Sequence, residues 1–393
     1  MLIKPSRQLV TQPHRHAWLE INLAALEQNM AYWRESLPSH LKMMAVVKAD
    51  AYGHGALLVV PILKAYGVAC LGVSNIDEAL QLRAGGVEMP ILVLGATPEW
   101  AWTLAEKSKI QLTIFSRRDV EALSVFKKPL TVHVKVDTGM HRLGASPEEA
   151  VALIQQVQAL PHVTLAGIFT HLANGNLADK NAQQWKIFET NVLNALETLP
   201  PCIHIANSPA LWTHPSPESP FMQRCHLVRI GIGLWGYDTI EPDLLPVMGL
   251  KARITHLQSI PAGEGVSYGH TFVTAHTPSC LATVPLGYAD GIPRGLSNRL
   301  WGRYAGHLIP QVGQITMDQM IFDFTPLLQA GVLTEAPQVG EIITLLEHGE
   351  AGLLERQKTD VGLSLKHWAE ALDSIPYEML CALRVRLPRS VVR

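Results

Sequence analysis

The chain is poor in charge, in cysteine and in aromatic residues, and each shortage closes off a class of protein. Lys and Arg number 32 against 34 Asp and Glu, a formal charge of −2, and only 17% of the 393 residues are charged. Without a basic excess there is little to neutralise a phosphate backbone or an anionic bilayer, which excludes nucleic acid and membrane surfaces as principal partners. The five cysteines (Cys70, Cys202, Cys225, Cys280, Cys381) are scattered, odd in number and without a CxxC pair. That pattern excludes a disulfide framework and a zinc site, and predicts reduced thiols in a cytoplasmic protein with no metal. No apolar run is long enough to span a bilayer; the best, 57–73, is broken by Pro61, Lys64 and Gly67. The first 18 residues carry Lys4, Arg7 and Arg15 but neither an apolar signal core nor a cleavage site, and His14 and His16 read as solvated.

What is abundant is apolar residues, 48% of the chain, enough to fill two or three domains. Between 43 and about 234, short β-branched runs alternate with helical patterns: 43–48, 69–73, 91–94, 111–115, 131–136, 164–169, 202–206 and 227–233. Continuous apolar runs fit strands buried on both faces of a parallel sheet. Asn75 with Glu78 and Ser146 with Glu149 have capping-box spacing, while Pro98 and Pro147 suit the first position of a helix. Trp185, Phe188, Val192 and Leu196 follow a helical period. Eight strand–helix repeats predict an α/β fold, a TIM-like (β/α)₈ barrel. A dinucleotide fingerprint, Gly231-x-Gly233-x-x-Gly236, is present in letters only: its glycines fall in or at the end of a strand, and Pro242 and Pro246 stand where a helix should open.

After 248 the texture changes to short strands punctuated by Gly and Pro, predicting a barrel domain over 1–248 and a mostly β domain over 249–393. The run AWLEINL near the N-terminus is a ninth strand able to join the second domain. Residues 238–249 form the expected hinge, 214–221 a surface loop, 365–372 a late helix, and Pro376-Tyr377 a turn.

Barrel chemistry sits at the C-terminal ends of strands. That rule selects Lys48, Lys135, Arg142, His171, Asn207, Ser208, Arg229 and Gly231. Alone, Lys48 would read as a rim charge, His171 as a core histidine and Arg229 as an ion-pair member. Together they converge on one mouth. A lysine after three apolar residues is expected to be desolvated, which favours the neutral amine that Schiff-base chemistry requires. The second domain adds Tyr268, Tyr288, Met317, Asp318 and Tyr377 in loops; Glu264 and Asp290 read as turn-forming or solvated acids, and His54 as support for the loop after Lys48.

AVVKADAYGHG, KVDTGMHRLG, VRIGIGLWG, VSYGHT, GYADG, ITMDQ and IPYEMLCAL resemble, in order from about Ala17 to Pro388, the motifs of the alanine racemase family. The resemblance implies a fold-type III pyridoxal 5'-phosphate (PLP) enzyme, a homodimer with shared active sites, interconverting L- and D-alanine for peptidoglycan or for alanine catabolism. It makes Lys48 the cofactor-bonded lysine and one base, and Tyr268 the other base, reaching into the second subunit. Arg229 matches the arginine at the pyridine nitrogen and His171 its neighbour. Tyr52, Ser208, Gly231, Ile232 and Tyr377 match phosphate-holding positions, with Asn207 beside them. Arg142 and the Met317 main chain match carboxylate-binding groups, supported by Asp318. Lys135 matches a lysine carbamylated in some members, and Tyr288 an aromatic near the access corridor. Asp50 stands where many members have Asn, Trp235 where Tyr is common, and ANGN (173–176) where an acidic pattern is frequent. Remaining alternatives are a racemase of broader specificity, a fold III decarboxylase, which resembles a pattern with an acid at the pyridine nitrogen, and a PLP-carrying regulatory protein, which lacks the β domain. A nicotinamide dehydrogenase would need the glycine match to be real.

Overall fold

The computed structural model describes residues 14–213, 220–237, 243–358, 362–383 and 386–393. Strand β1 (Ala17–Asn22) precedes eight parallel strands: β2 (Lys42–Val46), β3 (Cys70–Val73), β4 (Ile91–Val93), β5 (Leu112–Ile114), β6 (Leu130–Lys135), β7 (Val163–Phe169), β8 (Ile203–His204) and β9 (Leu227–Ile230). They form two ladders, β4-β3-β2-β9 and β5-β6-β7-β8. Single parallel bridges, Leu92 to Gln111 and Asn207 to Arg229, join the ladders at both seams and close the eight-stranded barrel. The strands are short and apolar because helices cover their outer faces and side chains fill the interior.

Helix starts follow the local chemistry. Ser116 and Asp119 cap Arg117–Phe126 reciprocally, and Ser146 accepts the Glu149 N–H ahead of Pro147–Gln158, with proline at its first turn. Three local expectations fail for physical reasons. Pro98 is extended (ψ 144°) and precedes a 3₁₀ turn, so the α-helix opens only at Trp102. The period through Trp185 and Phe188 stops at Asn191, because Val192 (φ −121°, ψ −62°) leaves helical geometry before Leu196. Pro376-Tyr377 is not a turn but the opening of helix Pro376–Ala382, proline serving where no N–H is needed. The expected loop 214–221 lies outside the described residues through 219, and the hinge does so over 238–242.

β10 (Met248–Arg253) opens the second layer, a nine-stranded sheet. Its order is His256–Ile260, Ser279–Val284, Met320–Asp323, His307–Val312, Trp301–Tyr304, Ile342–Leu346, β10, β1, Arg389–Val392. β1 runs antiparallel to β10 and parallel to Arg389–Val392, so the strand that precedes the barrel is built into the sheet that follows it. Residues of both layers share one apolar core, including Trp33, Trp235, Phe322 and Phe324. Among the described residues no helix is long and apolar enough to cross a membrane.

Candidate active site

Lys48 stands two residues beyond β2, and the backbone that carries it is unusual. Ala49, Asp50, Ala51 and Tyr52 all have φ between 50° and 56°, a left-handed helical turn that closes on Gly53 at φ 83°. Each such L-residue costs about 1–2 kcal/mol, so four in a row store roughly 4–8 kcal/mol and persist only if surrounding groups hold them. Internal bonds run from Ala51 N–H to Val47 O (2.8 Å) and from Gly53 N–H to Ala49 O (2.9 Å). Outside the turn, Asp50 Oδ1 accepts the Ala56 N–H (2.9 Å), Arg389 Nε donates to Gly53 O (2.7 Å), and the Arg389 guanidinium lies 3.6 Å from Asp50. An aspartate at position 50 thus has a cation to meet. The turn lifts Lys48 out of the apolar run: the side chain is exposed in the single chain, contrary to the desolvation expected from sequence. Its Nζ sits 5.9 Å from the centre of the Tyr52 ring.

Arg229, inward-facing on β9, is only 4% exposed. Its guanidinium donates to three main-chain oxygens, of Thr170 (2.8 Å), His204 (3.0 Å) and Ile205 (3.0 Å). It donates also to His204 Nδ1 (2.9 Å) and His171 Nδ1 (3.3 Å). All five acceptors are neutral, and among the described residues no carboxylate pairs with it. Burial pulls the guanidinium down to about 10, which leaves it charged at neutral pH. Because arginine can only donate, the chain beyond it has one direction. His204 accepts at Nδ1, so its Nε2–H donates to His133 Nδ1 (3.0 Å), and the Nε2–H of His133 donates to Gln111 Oε1 (3.1 Å). Both imidazoles are therefore neutral. Burial, followed by the Arg229 charge, holds His133 down to about 4 and His204 well below its ordinary value. Phe169 stacks on His204 (4.5 Å, 10°) and shields the pair.

Around this column lie His171, Lys135 and Arg142. Burial, then Arg229, Arg142, Lys135 and Lys48, push His171 down to about 3. Lys135 is 5% exposed with its Nζ 5.8 Å from the Phe169 ring centre. Burial, then Arg142 and Arg229, bring its amine down to about 8. Arg142 is exposed on the loop after β6, which Asp137 organises by accepting the N–H groups of Gly139, Met140 and His141.

The mouth's other side suits a phosphate ester. The rings of Tyr52 and Tyr377 lie 6.1 Å apart, and the Gly231 N–H reaches Ser208 Oγ (3.0 Å). Ser208 and Ile232 each open a short helical turn, whose leading N–H groups favour an anion. A Cβ at Gly231 would stand 2.8 Å from Tyr52 Oη, so only glycine leaves the cradle open. Asn207 builds rather than lines it: Oδ1 accepts the Ala210 N–H (3.2 Å), and its backbone bridges to Arg229. His54, stacked on Trp235 at 4.4 Å, is fully buried beneath the turn.

Tyr268, Tyr288, Met317 and Asp318 gather on the second layer. Tyr268 is 73% exposed and lines a cavity of about 450 Å³ with Ser267, Gln314, Thr316 and Gln319. The Tyr288 and Met317 loops lock together through Tyr288 N–H to Thr316 O and Ala289 N–H to Met317 O, both 3.0 Å. Asp318 accepts from Arg386 (2.7 Å). Asp290 is no solvated acid: it is fully buried, takes two bonds from Arg15 (2.6 and 2.8 Å) and caps the Tyr288 turn at the Gly287 N–H. Among the described residues no hydrogen bond or ring contact joins this group to Lys48.

Sequence reasoning missed His133, His204 and Gln111. A signal existed for His133: Lys135 points into the barrel, and residues two apart on a strand share a face. It also read Glu78 only as a cap, whereas its carboxylate reaches the turn after Lys48.

Residues 21–239 match the alanine racemase N-terminal domain and 247–391 the C-terminal domain. An alanine racemase of Nostoc sp. is 39% identical over 394 residues, covering 95% of each chain. The solved alanine racemase of E. faecalis superposes with a TM-score of 0.84 at 30% identity, over 98% of this chain and 100% of that one. A histidine racemase from Leuconostoc mesenteroides gives 0.81 at 27% identity, with coverage of 98% and 100%. The chain belongs to the alanine racemase family, whose members are PLP-dependent isomerases.

Proposed function

We propose that this chain interconverts L- and D-alanine in the cytoplasm as a homodimer, with PLP carried on Lys48 and each active site completed by the second copy. The chain divides near residue 248 into 1–248 and 249–393, β1 being contributed to the second unit's sheet. The observation that carries the proposal is Arg229: a buried side chain, charged at neutral pH and held by neutral acceptors that include the strand-end His171. An exposed Tyr268, with no hydrogen bond or ring contact to Lys48 among the described residues, is consistent with a residue working in another subunit.

PLP when bound acidifies the Cα–H of an attached amino acid by delocalising the electron pair left behind. The chain's own groups do the rest. Tyr52, Ser208, Gly231, Ile232 and Tyr377 would hold the phosphate. Arg142 and the main chain of the partner subunit's Met317 would orient the carboxylate, with Lys135 feeling the charge of Arg142. Arg229 would face the pyridine nitrogen as a donor that does not readily give up its proton, so the ring would gain no proton there, which would favour racemisation over side reactions such as transamination. Lys48 on one face and the partner subunit's Tyr268 on the other take and return the Cα proton.

The test is incubation with L-alanine in deuterated buffer. D-alanine should appear with deuterium at Cα, and borohydride followed by peptide mapping should place the cofactor on Lys48. Label on another lysine, or unlabelled product, overturns the assignment. The fit to a histidine racemase favours one second reading, breadth beyond alanine, and a panel including serine, lysine, arginine and histidine decides it.

A further inference from the structure

We propose that Glu78 is a positioning residue for Lys48, clipping the left-handed turn to the neighbouring strand end; this rests on Lys48 being the cofactor lysine. Glu78 lies in the first turn of helix Ile76–Ala84, where Asn75 already caps its N–H at 3.0 Å. Its carboxylate does not return to the Asn75 main chain as a capping box would. Oε1 accepts the Ala49 N–H (2.7 Å) and Oε2 the Ser74 N–H (2.7 Å). One side chain thus joins the segments that follow β2 and β3.

The bond to Ala49 matters because of where it falls. The peptide joining Val46 to Val47 is held by the sheet, Val47 N–H donating to Gly72 O at 2.8 Å, and the Val47 carbonyl accepts the Ala51 N–H at 2.8 Å. The N–H of the peptide after Lys48 has no acceptor within its own turn, since the internal bonds begin at Ala51. Arg389 and Asp50 grip the far end, at Gly53 and Ala56. Among the described residues, Glu78 alone accepts the N–H of the Lys48–Ala49 peptide, at the first of four residues in a disfavoured conformation. Short, charge-assisted bonds of this kind are the strong ones. Without it the strained turn can relax at the end that aims the amine, while the rest of the barrel stays as it is.

The experiment compares holoenzymes of wild type, Glu78→Ala, Glu78→Gln and Asn75→Ala. Asn75→Ala weakens the same helix end without removing the Ala49 bond, so it reports a merely structural effect. Hydroxylamine should strip PLP from Glu78→Ala about tenfold faster, and kcat should fall about tenfold or more with KM for alanine nearly unchanged, as expected when a reacting group is misaimed and substrate binding is intact. Amide exchange at Ala49 should rise in step. Glu78→Gln, which keeps one acceptor oxygen, should lie between, and stands in if the alanine variant does not fold. Asn75→Ala should lower Tm yet release PLP at the wild-type rate. Wild-type release and kcat in both Glu78 variants, or equal acceleration in Asn75→Ala, overturns the proposal. Failure of the functional assignment would show instead in the wild type, as absence of bound PLP and of alanine turnover.

Discussion

Taking the cofactor-free chain from pH 7.5 to pH 5 should bring it close to unfolding, and four interior histidines set the size of the effect. His54 is held down to about 3 by burial, His171 to about 3 and His133 to about 4 by burial and then Arg229, and His204 well below its usual value by the same two causes. In the unfolded chain each titrates near 6.5. The folded values lie below the unfolded ones, so the unfolded chain binds more protons once the pH drops under about 6.5. Stability is therefore complete above that point and declines as the pH falls toward the folded values. Between pH 7.5 and 5 His54, His133 and His171 each remove roughly 2 kcal/mol, about 6 kcal/mol together, and His204 acts in the same direction, against a typical total of about 5–15 kcal/mol. Glu20 does not confuse the window. Burial raises it, but bonds from His348, Lys251 and Trp18 outweigh that and leave it near 2, so its contribution fades only at more acid pH. Urea unfolding followed by the fluorescence of the nine tryptophans measures the slope. A loss under about 2 kcal/mol across this range would refute the neutral histidine column.

Four further outcomes follow from the geometry. Arg229→Leu strands three carbonyls and two imidazoles and should lower stability by about 3–5 kcal/mol, read from denaturant midpoints; a variant as stable as wild type would contradict the bonding described. Asp290→Asn breaks the buried pair with Arg15 and should cost about 3 kcal/mol, with KM for alanine rising as the Tyr288 and Met317 loops loosen. Tyr268→Phe should reduce racemisation about 100-fold or more while deuterium exchange at Cα continues from one enantiomer only, as NMR of each enantiomer in deuterated buffer would show. Gly231→Ala crowds Tyr52 Oη, and equilibrium dialysis should find PLP held about tenfold more weakly, the size of an overpacking penalty of about 1–3 kcal/mol.

Much of the barrel is legible in sequence because its strands are short, largely apolar runs and several helices, those after Asn75, Ser116 and Ser146 among them, begin with a side-chain cap. Boundaries blur where one residue type serves two geometries: proline at 376 ends a chain direction in a turn but equally opens a helix. The strand-end rule brings Lys48, His171, Ser208 and Arg229 to one mouth, because a parallel barrel leaves all its strand ends on one face. It says nothing of depth. A histidine in a β-branched run reads alike as core or as ligand, so the column through His204 and His133 to Gln111 emerges only once the strands are side by side. The exposure of Lys48 is hidden for a different reason. Left-handed geometry in Ala-Asp-Ala-Tyr contradicts every local propensity, and only groups distant in sequence, Glu78 and Arg389, make it tenable.

The grip of Arg389 on Gly53 spans 336 positions. During synthesis the turn after Lys48 emerges early, while the side chain that anchors its far end arrives only after the barrel and almost the whole second layer have been made. A ribosome-bound fragment ending before that strand can complete every barrel strand and still lack this anchor.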